Sequence, residues 1–409
     1  MREDAWLAPP GAAAVRAYAE QNDCAFADAF RRMERLRERT LQRIVDDPYR
    51  YGLEPSCWWV ADALEDFPFC TVDTERTIRD RTGLGWDDFK RAMRERLGFK
   101  KPVKSLLVSG ANRSGKTERA LKRCVMLAEE KADSHIWAFH ESWRDSVDKQ
   151  QDVVWKYLPK EHKKQVQGSG EYIKYKAKTG FSGMSLILEN GTHFKFGAYT
   201  QDVKSVMEGS KVTRGEADED FPVEWLLALE RRAAQLNGVV NCTFTPVYGW
   251  TAGVGEFYEG MSVVKDMPGY MLPRDGKPPL PWAAMGLSRE EYDELEAAED
   301  ERRAATAPWS RPQDCLAWLG GEDGLPAAPE GRVFERVPRV AKCRNPDRAV
   351  VWFHPCDNPY GNPRQVIKRA LHQGTEMVRM SVYGMATRKW SARFPGFRDW
   401  VGERGEATA

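Results

Sequence analysis

Residues 103–131 read VKSLLVSGANRSGKTERALKRCVMLAEEK and contain three patterns in a row. The first is a short apolar run at 103–108, which is typical of a buried β-strand. The second is a polar stretch that contains two glycines, Gly110 and Gly115. From Thr117 to Lys131, apolar residues then recur at helical spacing. We therefore predict a strand, a glycine loop and a helix, in this order.

The loop matches the pattern G-x-x-x-x-G-K-[ST], in which the glycines let backbone N–H groups turn inward around phosphate groups. The helix that follows adds about half a positive charge at its amino end. In such a loop we expect Lys116 to be a solvent-facing contact of the β- and γ-phosphates and the Thr117 hydroxyl to be a ligand of Mg²⁺. A chance match in a turn is the alternative, and the strand and helix on either side argue against it. We predict that ATP and Mg²⁺ bind here, with the nucleotide contacted by Gly110, Ala111, Asn112, Arg113, Ser114, Gly115, Lys116 and Thr117.

Hydrolysis of a bound nucleotide also needs carboxylates, one to hold Mg²⁺ and one to activate the attacking water. The best candidates are Asp218 and Glu219, within the stretch EADEDFP. Such pairs usually follow an apolar strand, whereas residues 213–217 read TRGEA, which predicts a poor buried strand. An acidic stretch in a solvated loop therefore remains the alternative.

Arg113 lies inside the loop and is a candidate catalytic residue, because it could neutralise charge that develops on the γ-phosphate. In the alternative interpretation it points away and pairs with Glu118 or another carboxylate. An adenine base needs an aromatic face or an apolar slot. The sequence before the loop leaves the choice open among Tyr49, Tyr51, Trp58, Trp59 and Phe89.

Strands and helices alternate around the loop. We predict a strand at 135–139, a strand at 349–353 and a helix at 364–380. A hairpin of 184–189 and 192–199 is indicated by its Asn190-Gly191 turn. The first hundred residues predict helices at 13–47, 58–65 and 86–97.

This order predicts an α/β fold of the P-loop NTPase (RecA/ASCE-like) class, a mainly parallel sheet flanked by helices. We predict a helical N-terminal module at 1–98 and a P-loop ATPase domain at 99–397. The domain carries a surface insertion at about 266–345, where the pattern loosens, and a tail at 398–409 follows it.

Composition and charge are those of an ordinary globular chain of 409 residues, with 62 Lys and Arg against 61 Asp and Glu and a net charge of +1. No stretch approaches the ~18 apolar residues of a membrane span, and the opening residues lack the order of a signal peptide. The eight cysteines contain no C-x-x-C pair, so we expect an intracellular protein without disulfides or a structural metal. A polyanion would have to be held by a local basic surface.

The sequences of these motifs resemble the ATPase region of tailed-phage terminase large subunits, over roughly residues 101–397 without the insertion. The loop form ANRSGKTE, residues 189–222 (ENGTHFKFGAYTQDVKSVMEGSKVTRGEADEDFP) and residues 222–251 (PVEWLLALERRAAQLNGVVNCTFTPVYGWT) carry this resemblance. It implies that Asp218 is the metal-side carboxylate, that Glu219 is the catalytic one, and that Thr243 and Thr245 couple hydrolysis to movement.

The resemblance also implies a motor that moves double-stranded DNA into a prohead. Its partners would be the portal protein, the small terminase subunit and further copies of the chain in a ring. Its location would be the host cytoplasm, with transient docking at the prohead portal. Family members usually continue into a nuclease domain, for which this chain has no room, so we expect no nuclease activity here and a separate nuclease chain as a possible partner. The alternatives are another DNA-stimulated P-loop ATPase or helicase, and an assembly protein that binds ATP without hydrolysing it.

A basic segment at 160–178 carries six lysines with Tyr172 and Tyr175 between them. It could follow a DNA backbone by releasing counterions, although a solvated loop is the alternative. We take Lys174, Lys176 and Lys178 as the candidate DNA contacts, with Arg388, Lys389 and Arg393 as a second basic patch.

Overall fold

A computed structural model describes residues 12–163, 173–246, 249–273, 280–285, 289–290, 292–293, 334–358 and 363–386. The strands in these residues are β1 (Ser105–Gly110), β2 (His135–His140), β3 (Tyr175–Lys176), β4 (Gly180–Phe181), β5 (Ser185–Ile187), β6 (His193–Ala198), β7 (Arg214–Asp218), β8 (Val239–Phe244), β9 (Ser262–Pro273), β10 (Phe334–Lys342) and β11 (Arg348–Phe353).

The helices before β2 are α1 (Ala12–Gln21), α2 (Phe26–Asp46), α3 (Ser56–Glu65), α4 (Val72–Thr82), α5 (Trp86–Arg96) and α6 (Lys116–Glu130). After β2 come α7 (Trp143–Asp145), a π-helical turn (Ser146–Gln151), α8 (Asp152–Tyr157), α9 (Lys160–Lys163), α10 (Val203–Met207), α11 (Val223–Gln235), α12 (Ala252–Tyr258) and α13 (Pro281–Ala284). Two further helices, Pro363–His372 and Thr375–Ser381, follow β11.

Within these ranges, nine strands form one sheet in the order β5-β6-β2-β7-β8-β1-β11-β10-β9. Six consecutive strands in this order, β6, β2, β7, β8, β1 and β11, are parallel to one another. Antiparallel strands close both edges, with β5 beside β6 and with β10 and β9 beyond β11. The predicted α/β class with a mainly parallel sheet is therefore confirmed.

Helices cover both faces of this sheet, which suits central strands such as β1 and β11, whose residues are all buried. On β1, Leu106 and Val108 pack with α3 and α5, whereas Leu107 faces the cluster formed with α11 and α12. Helix α6 packs on β2 through Leu121 and Val125. The N-terminal helices thus share a core with the sheet, and the boundary near residue 98 stays a prediction.

Two predicted long helices are each interrupted. The helix at 13–47 consists of α1 and α2, separated by a turn in which Asp23 has φ +44°. The helix at 364–380 breaks at Gly374, whose φ of +95° favours glycine. In both places the chain folds back, which helical periodicity alone cannot indicate.

The predicted surface insertion at 266–345 begins and ends inside the sheet. Residues 262–273 and 334–342 are β9 and β10, which pair with each other in an antiparallel ladder. Pro338 of β10 lies at register shifts of this ladder, which suits a β-bulge. Most of the intervening residues lie outside the described part of the chain. Across the parts that are described, no helix is long and apolar enough to cross a membrane.

Candidate functional site

The loop at 110–117 follows β1 and lies at the carboxyl ends of the parallel strands. Gly110 lies so close to β11 that a Cβ atom there would be 2.5 Å from the carbonyl oxygen of Phe353. Gly115, at the amino end of α6, has φ +87°, a conformation that side chains disfavour. Both glycines of the motif are therefore required by the backbone itself.

Lys116 is only 6% exposed, and its Nζ donates hydrogen bonds to the carbonyl oxygens of Gly110 (3.0 Å) and Ala111 (2.8 Å). The expectation of a solvent-facing lysine is therefore wrong, because the ammonium group folds back over its own loop. Burial lowers the pKa of Lys116, and the charges of Glu219 and Asp218 oppose this shift. The side chain still borders the cavity described below.

Asp218, at the end of β7, accepts hydrogen bonds from the loop and from the next strand. Thr117 Oγ1 lies 3.1 Å from Oδ2 of Asp218, and the Thr243 hydroxyl of β8 donates to Oδ1. The backbone N–H of Glu219 also donates to Oδ1, at 3.1 Å, and to the carbonyl oxygen of Thr243, at 2.8 Å. The structure thus brings together the two predicted metal ligands and one of the two predicted coupling residues.

Glu219 follows Asp218 with φ +62°, and it borders the cavity. Burial raises the pKa of Asp218, against the hydrogen bond from Thr243 and the charge of Lys116. Burial, and next the charge of Asp218, raise the pKa of Glu219. A cation between the two carboxylates would relieve this repulsion, which fits a site for a metal ion.

Paired charges explain why the polar residues of β7 form a strand after all. All five residues of β7 are buried. Arg214 bonds Glu216 at 2.5 Å and, through its Nη atoms, Glu65 of α3 at 3.3 Å. Arg119 of α6 bonds the same Glu65 at 2.7 Å. The expectation of a poor buried strand is therefore wrong, because the partner carboxylate comes from a helix 149 residues earlier in the chain.

This ion network continues through α3 and α6 to the cavity. Asp62 accepts from Arg119 at 2.7 Å and from Arg123 at 2.5 Å, and Arg123 also bonds Glu54 at 2.5 Å. Burial alone would raise the pKa of Glu54, but the charges of Arg123 and Lys122 outweigh it and lower this pKa to about 2. At the other end, burial raises the pKa of Glu216 to about 8. Charged residues outside the motifs therefore stabilise the strand that carries the acidic pair.

The neighbouring strand ends add two polar side chains that the sequence analysis did not single out for the site. His140 ends β2, is fully buried, and its Nε2 lies 4.0 Å from Oδ2 of Asp218. Tyr199, just after β6, directs its hydroxyl at the carbonyl oxygen of Asp218 at 3.1 Å. A polar residue directly after an apolar run, as in IWAFH at 136–140, is the signal that could have indicated His140.

A cavity of about 820 Å³ opens over the loop and Glu219. This volume suits a small-molecule ligand. Its lining includes residues of the loop, Glu219 and Thr245, together with a set of mainly apolar residues, which are Ile44, Pro48, Tyr51, Leu53, Pro55, Trp58 and Tyr157. The cavity thus joins a phosphate-type loop to an apolar slot.

The aromatic candidates for the adenine site differ in whether they border this cavity. Tyr51 and Trp58 border it, whereas Trp59 and Phe89 are fully buried in the core. Tyr49 is also buried and donates to Glu130 at 2.7 Å. The indole N–H of Trp58 is buried beside Gly115 and has no hydrogen-bond partner within the described ranges, which fits a ligand acceptor at this point.

Arg113 and Thr245 both border the cavity. Arg113 has φ +63° and an exposed side chain, and its carbonyl oxygen accepts from Asn358 at 2.8 Å. Glu118, the predicted alternative partner, is bonded instead to Lys156 and Tyr157. The structure therefore does not support the Arg113–Glu118 ion pair.

The candidate DNA contacts Lys174, Lys176 and Lys178 are exposed around the small hairpin of β3 and β4. They do not belong to the residues that border the cavity. Tyr175, between them, stacks on Trp155 at 4.8 Å between ring centroids. The second basic patch at 388–393 lies outside the described residues.

The strand order and the loop define the P-loop class of nucleotide-binding folds. The loop follows β1, the acidic pair follows β7, and β8 lies between these two strands. The RecA/ASCE-like expectation is thereby confirmed.

Neither a protein-family model nor a curated protein matches this sequence. Among solved structures, the chain is similar to the large terminase ATPase domain of Thermus phage P74-26, with a TM-score of 0.35, 13% identity, and coverage of 71% of this chain and 92% of that chain. A mutant of the same domain gives a TM-score of 0.35 and 13% identity over 72% of this chain and 97% of that chain.

Proposed function

We propose that this chain is an ATP-hydrolysing motor subunit of the phage-terminase type, which moves double-stranded DNA into a prohead. The observation that carries the ATPase part is the contact of three motifs at Asp218, which accepts from Thr117 of the loop and from Thr243 of β8. Loop, acidic pair and coupling strand thus touch beside the cavity, which Thr117, Glu219 and Thr245 border.

The residues of the cavity suggest how ATP is held and cleaved. Lys116 exchanges its two loop carbonyls for oxygens of the β- and γ-phosphates, and the backbone N–H groups of the loop hold the same phosphates. Mg²⁺, when bound, is held by Thr117 and Asp218 and neutralises charge on the phosphates. Glu219 orients the attacking water and accepts its proton.

The apolar part of the cavity lining holds the nucleoside. The aromatic rings of Tyr51 and Trp58 border the cavity, and the indole N–H of Trp58, which has no hydrogen-bond partner within the described residues, donates to the ligand. Arg113, at the cavity rim, is the candidate that neutralises charge on the γ-phosphate.

DNA translocation is supported by the motif resemblance and by the exposed lysines around the β3–β4 hairpin. Thr243, bonded to Asp218, and Thr245, at the cavity wall, are two positions from which β8 can sense the nucleotide. The partners that we propose are double-stranded DNA, the portal protein, the small terminase subunit and further copies of this chain.

Steady-state ATP hydrolysis with and without duplex DNA tests this function. Lys116→Ala should abolish turnover without unfolding the chain, because the lysine bonds only its own loop and the ligand. Lys131→Ala, an exposed lysine at the end of the same helix, is the matched control and should hydrolyse ATP like the wild type.

A second assay separates the motor from the alternatives. ATP-dependent displacement of a third strand from duplex DNA reports translocation, whereas separation of the duplex strands would indicate a helicase. ATP binding without turnover in the wild type would indicate an assembly protein and contradict the proposal.

A further inference from the structure

His140 is the one histidine in the described residues whose ring faces the acidic pair from a neighbouring strand. Strand β2 pairs with β7 in parallel, with Phe139 opposite Ala217, so His140 and Asp218 end adjacent strands at the same edge. The imidazole is fully buried. Its position therefore follows from the register of the sheet and not from a loop.

Hydrogen bonding defines the state of the ring. The backbone N–H of Glu141 donates to Nδ1 of His140 at 2.8 Å. An Nδ1 that accepts carries no proton, so the neutral ring carries its hydrogen on Nε2. This Nε2–H is buried and has no hydrogen-bond partner within the described part of the chain. A buried donor without a partner costs free energy and calls for an acceptor.

The carboxylate of Asp218 lies within 4.0 Å of this donor. Oδ1 of Asp218 accepts from Thr243 and from the Glu219 N–H, whereas Oδ2 has its shortest bond to Thr117, at 3.1 Å, and faces His140. The separation of 4.0 Å between Nε2 and Oδ2 is too long for a direct hydrogen bond. This separation fits a single bridging water oxygen that lies about 2.8 Å from both Nε2 and Oδ2, in a bent arrangement. Lys149, Asp145, Glu219 and Glu141 are further charged groups whose fields act on the ring.

We propose that His140 is a positioning residue of the acidic pair: its Nε2–H donates to a water molecule held against Oδ2 of Asp218, and this water fixes the carboxylate for the reaction. The inference rests on the proposed ATPase function. It assigns to β2 a role in the site, beside the loop and the strands β7 and β8. A histidine that served only to end β2 would need Nδ1 alone.

Two substitutions distinguish the role of Nδ1 from that of Nε2. His140→Asn keeps an acceptor near Nδ1, for the Glu141 N–H, and removes the distant donor. His140→Gln places an amide N–H₂ near the position of Nε2 and so keeps the donor. His135→Asn, at the opposite end of the same strand, is the matched control, since its ring lies beside His193 and away from the cavity.

We expect His140→Asn to lower kcat about 10- to 100-fold, as is typical when a group that orients a metal-site ligand is lost. Its KM for ATP should stay within about twofold, because Lys116 and the loop still hold the phosphates. His140→Gln should recover most of the lost kcat, and His135→Asn should equal the wild type. Thermal unfolding of each variant reports whether the fold is kept.

Equal activity of His140→Asn and the wild type would overturn the inference, and so would a Gln variant that is slower than the Asn variant. Loss of folding in both variants would assign His140 to the fold alone and would also overturn it. A wild type that binds ATP without turnover would contradict the proposed function instead. In that case the two variants are compared by their apparent affinity for Mg²⁺ at saturating ATP, where equal values would overturn the role of His140.

Discussion

Glu219 is the residue on which the chemistry of the proposed reaction depends. Glu219→Gln should keep ATP binding, because the phosphates are held by the loop, and should lower hydrolysis by about a hundredfold or more, as expected for loss of a positioned base. Single-turnover hydrolysis and binding of a fluorescent ATP analogue check the two parts separately.

Asp220→Asn is the control for this prediction, because Asp220 follows Glu219 directly and its side chain is exposed. It should leave hydrolysis unchanged. If Asp220→Asn were the inactive variant and Glu219→Gln the active one, the assignment of the catalytic carboxylate would be wrong.

His354 makes folding stability depend on pH. The ring is buried between the N–H of Cys356 and the carbonyl oxygen of Ala284, and burial lowers the pKa of His354 to about 3. The unfolded chain, with a histidine pKa of about 6.5, then binds the proton more readily than the folded chain. The contribution of His354 is therefore fully present above about pH 6.5 and is lost as the pH falls toward 3, by up to about 1.4 kcal/mol per pH unit.

Urea unfolding at several values between pH 7.5 and pH 4.5 measures this dependence. His354→Asn keeps an acceptor for the N–H of Cys356 and cannot become charged, so its unfolding free energy should fall less steeply with acid than that of the wild type. The exposed His372 provides the control, and His372→Asn should follow the wild-type curve. Parallel curves for the wild type and His354→Asn would contradict the prediction.

Among the elements, α3, α6 and β7 are joined by the buried ion network. Arg119 bonds Asp62 and Glu65, each at 2.7 Å, with none of the three side chains exposed. Arg119→Met should therefore lower the free energy of unfolding by about 3–5 kcal/mol, because it leaves buried carboxylates with fewer partners. Chemical denaturation measures this loss.

The surface pair Arg79–Glu75, at 2.7 Å and largely exposed, is the matched control. Arg79→Met should cost at most about 1 kcal/mol, because both side chains of this pair are already largely exposed to water and methionine is also a good helix former. Similar losses for the two variants would show that the buried network contributes no more than a surface pair.

For the whole molecule, DNA binding has to come from local charge, because the net charge is only +1. The triple variant Lys174→Ala, Lys176→Ala and Lys178→Ala should weaken DNA-stimulated hydrolysis. It should also flatten the salt dependence of DNA binding by about one unit of log–log slope for each phosphate that these lysines no longer neutralise. ATP affinity without DNA should not change, because these lysines do not border the cavity.

Replacing Lys100, Lys101 and Lys104 by alanine removes the same charge elsewhere on the surface. These three lysines are exposed and lie just before β1, at the end of the strand opposite the glycine loop. This control should keep the wild-type salt slope. Equal slopes for the wild type and the hairpin variant would show that the hairpin lysines are a solvated surface that does not bind DNA.

Local sequence patterns predicted the strand β1, the glycine loop and α6, because each depends on residues that are neighbours in the chain. The Asn190-Gly191 turn belongs to the same group, since Gly191 has φ +84°. Helical spacing also predicted α2 and α5, although it did not show where the chain folds back at Asp23 and Gly374. The motif and the acidic pair could be proposed from sequence because their residue types carry the chemistry.

The remaining features depend on contacts between distant elements. The strand before Asp218 is polar in sequence and buried in the fold, because Glu65 and Arg119 supply its counter-charges from two helices. Trp58 and Trp59 are chemically identical neighbours, yet one borders the cavity and the other fills the core. His140 has no motif around it, and only the register of β2 against β7 turns a histidine at the end of a strand toward Asp218. Burial and pairing of this kind are set by three-dimensional packing, which a single sequence does not encode in any local pattern.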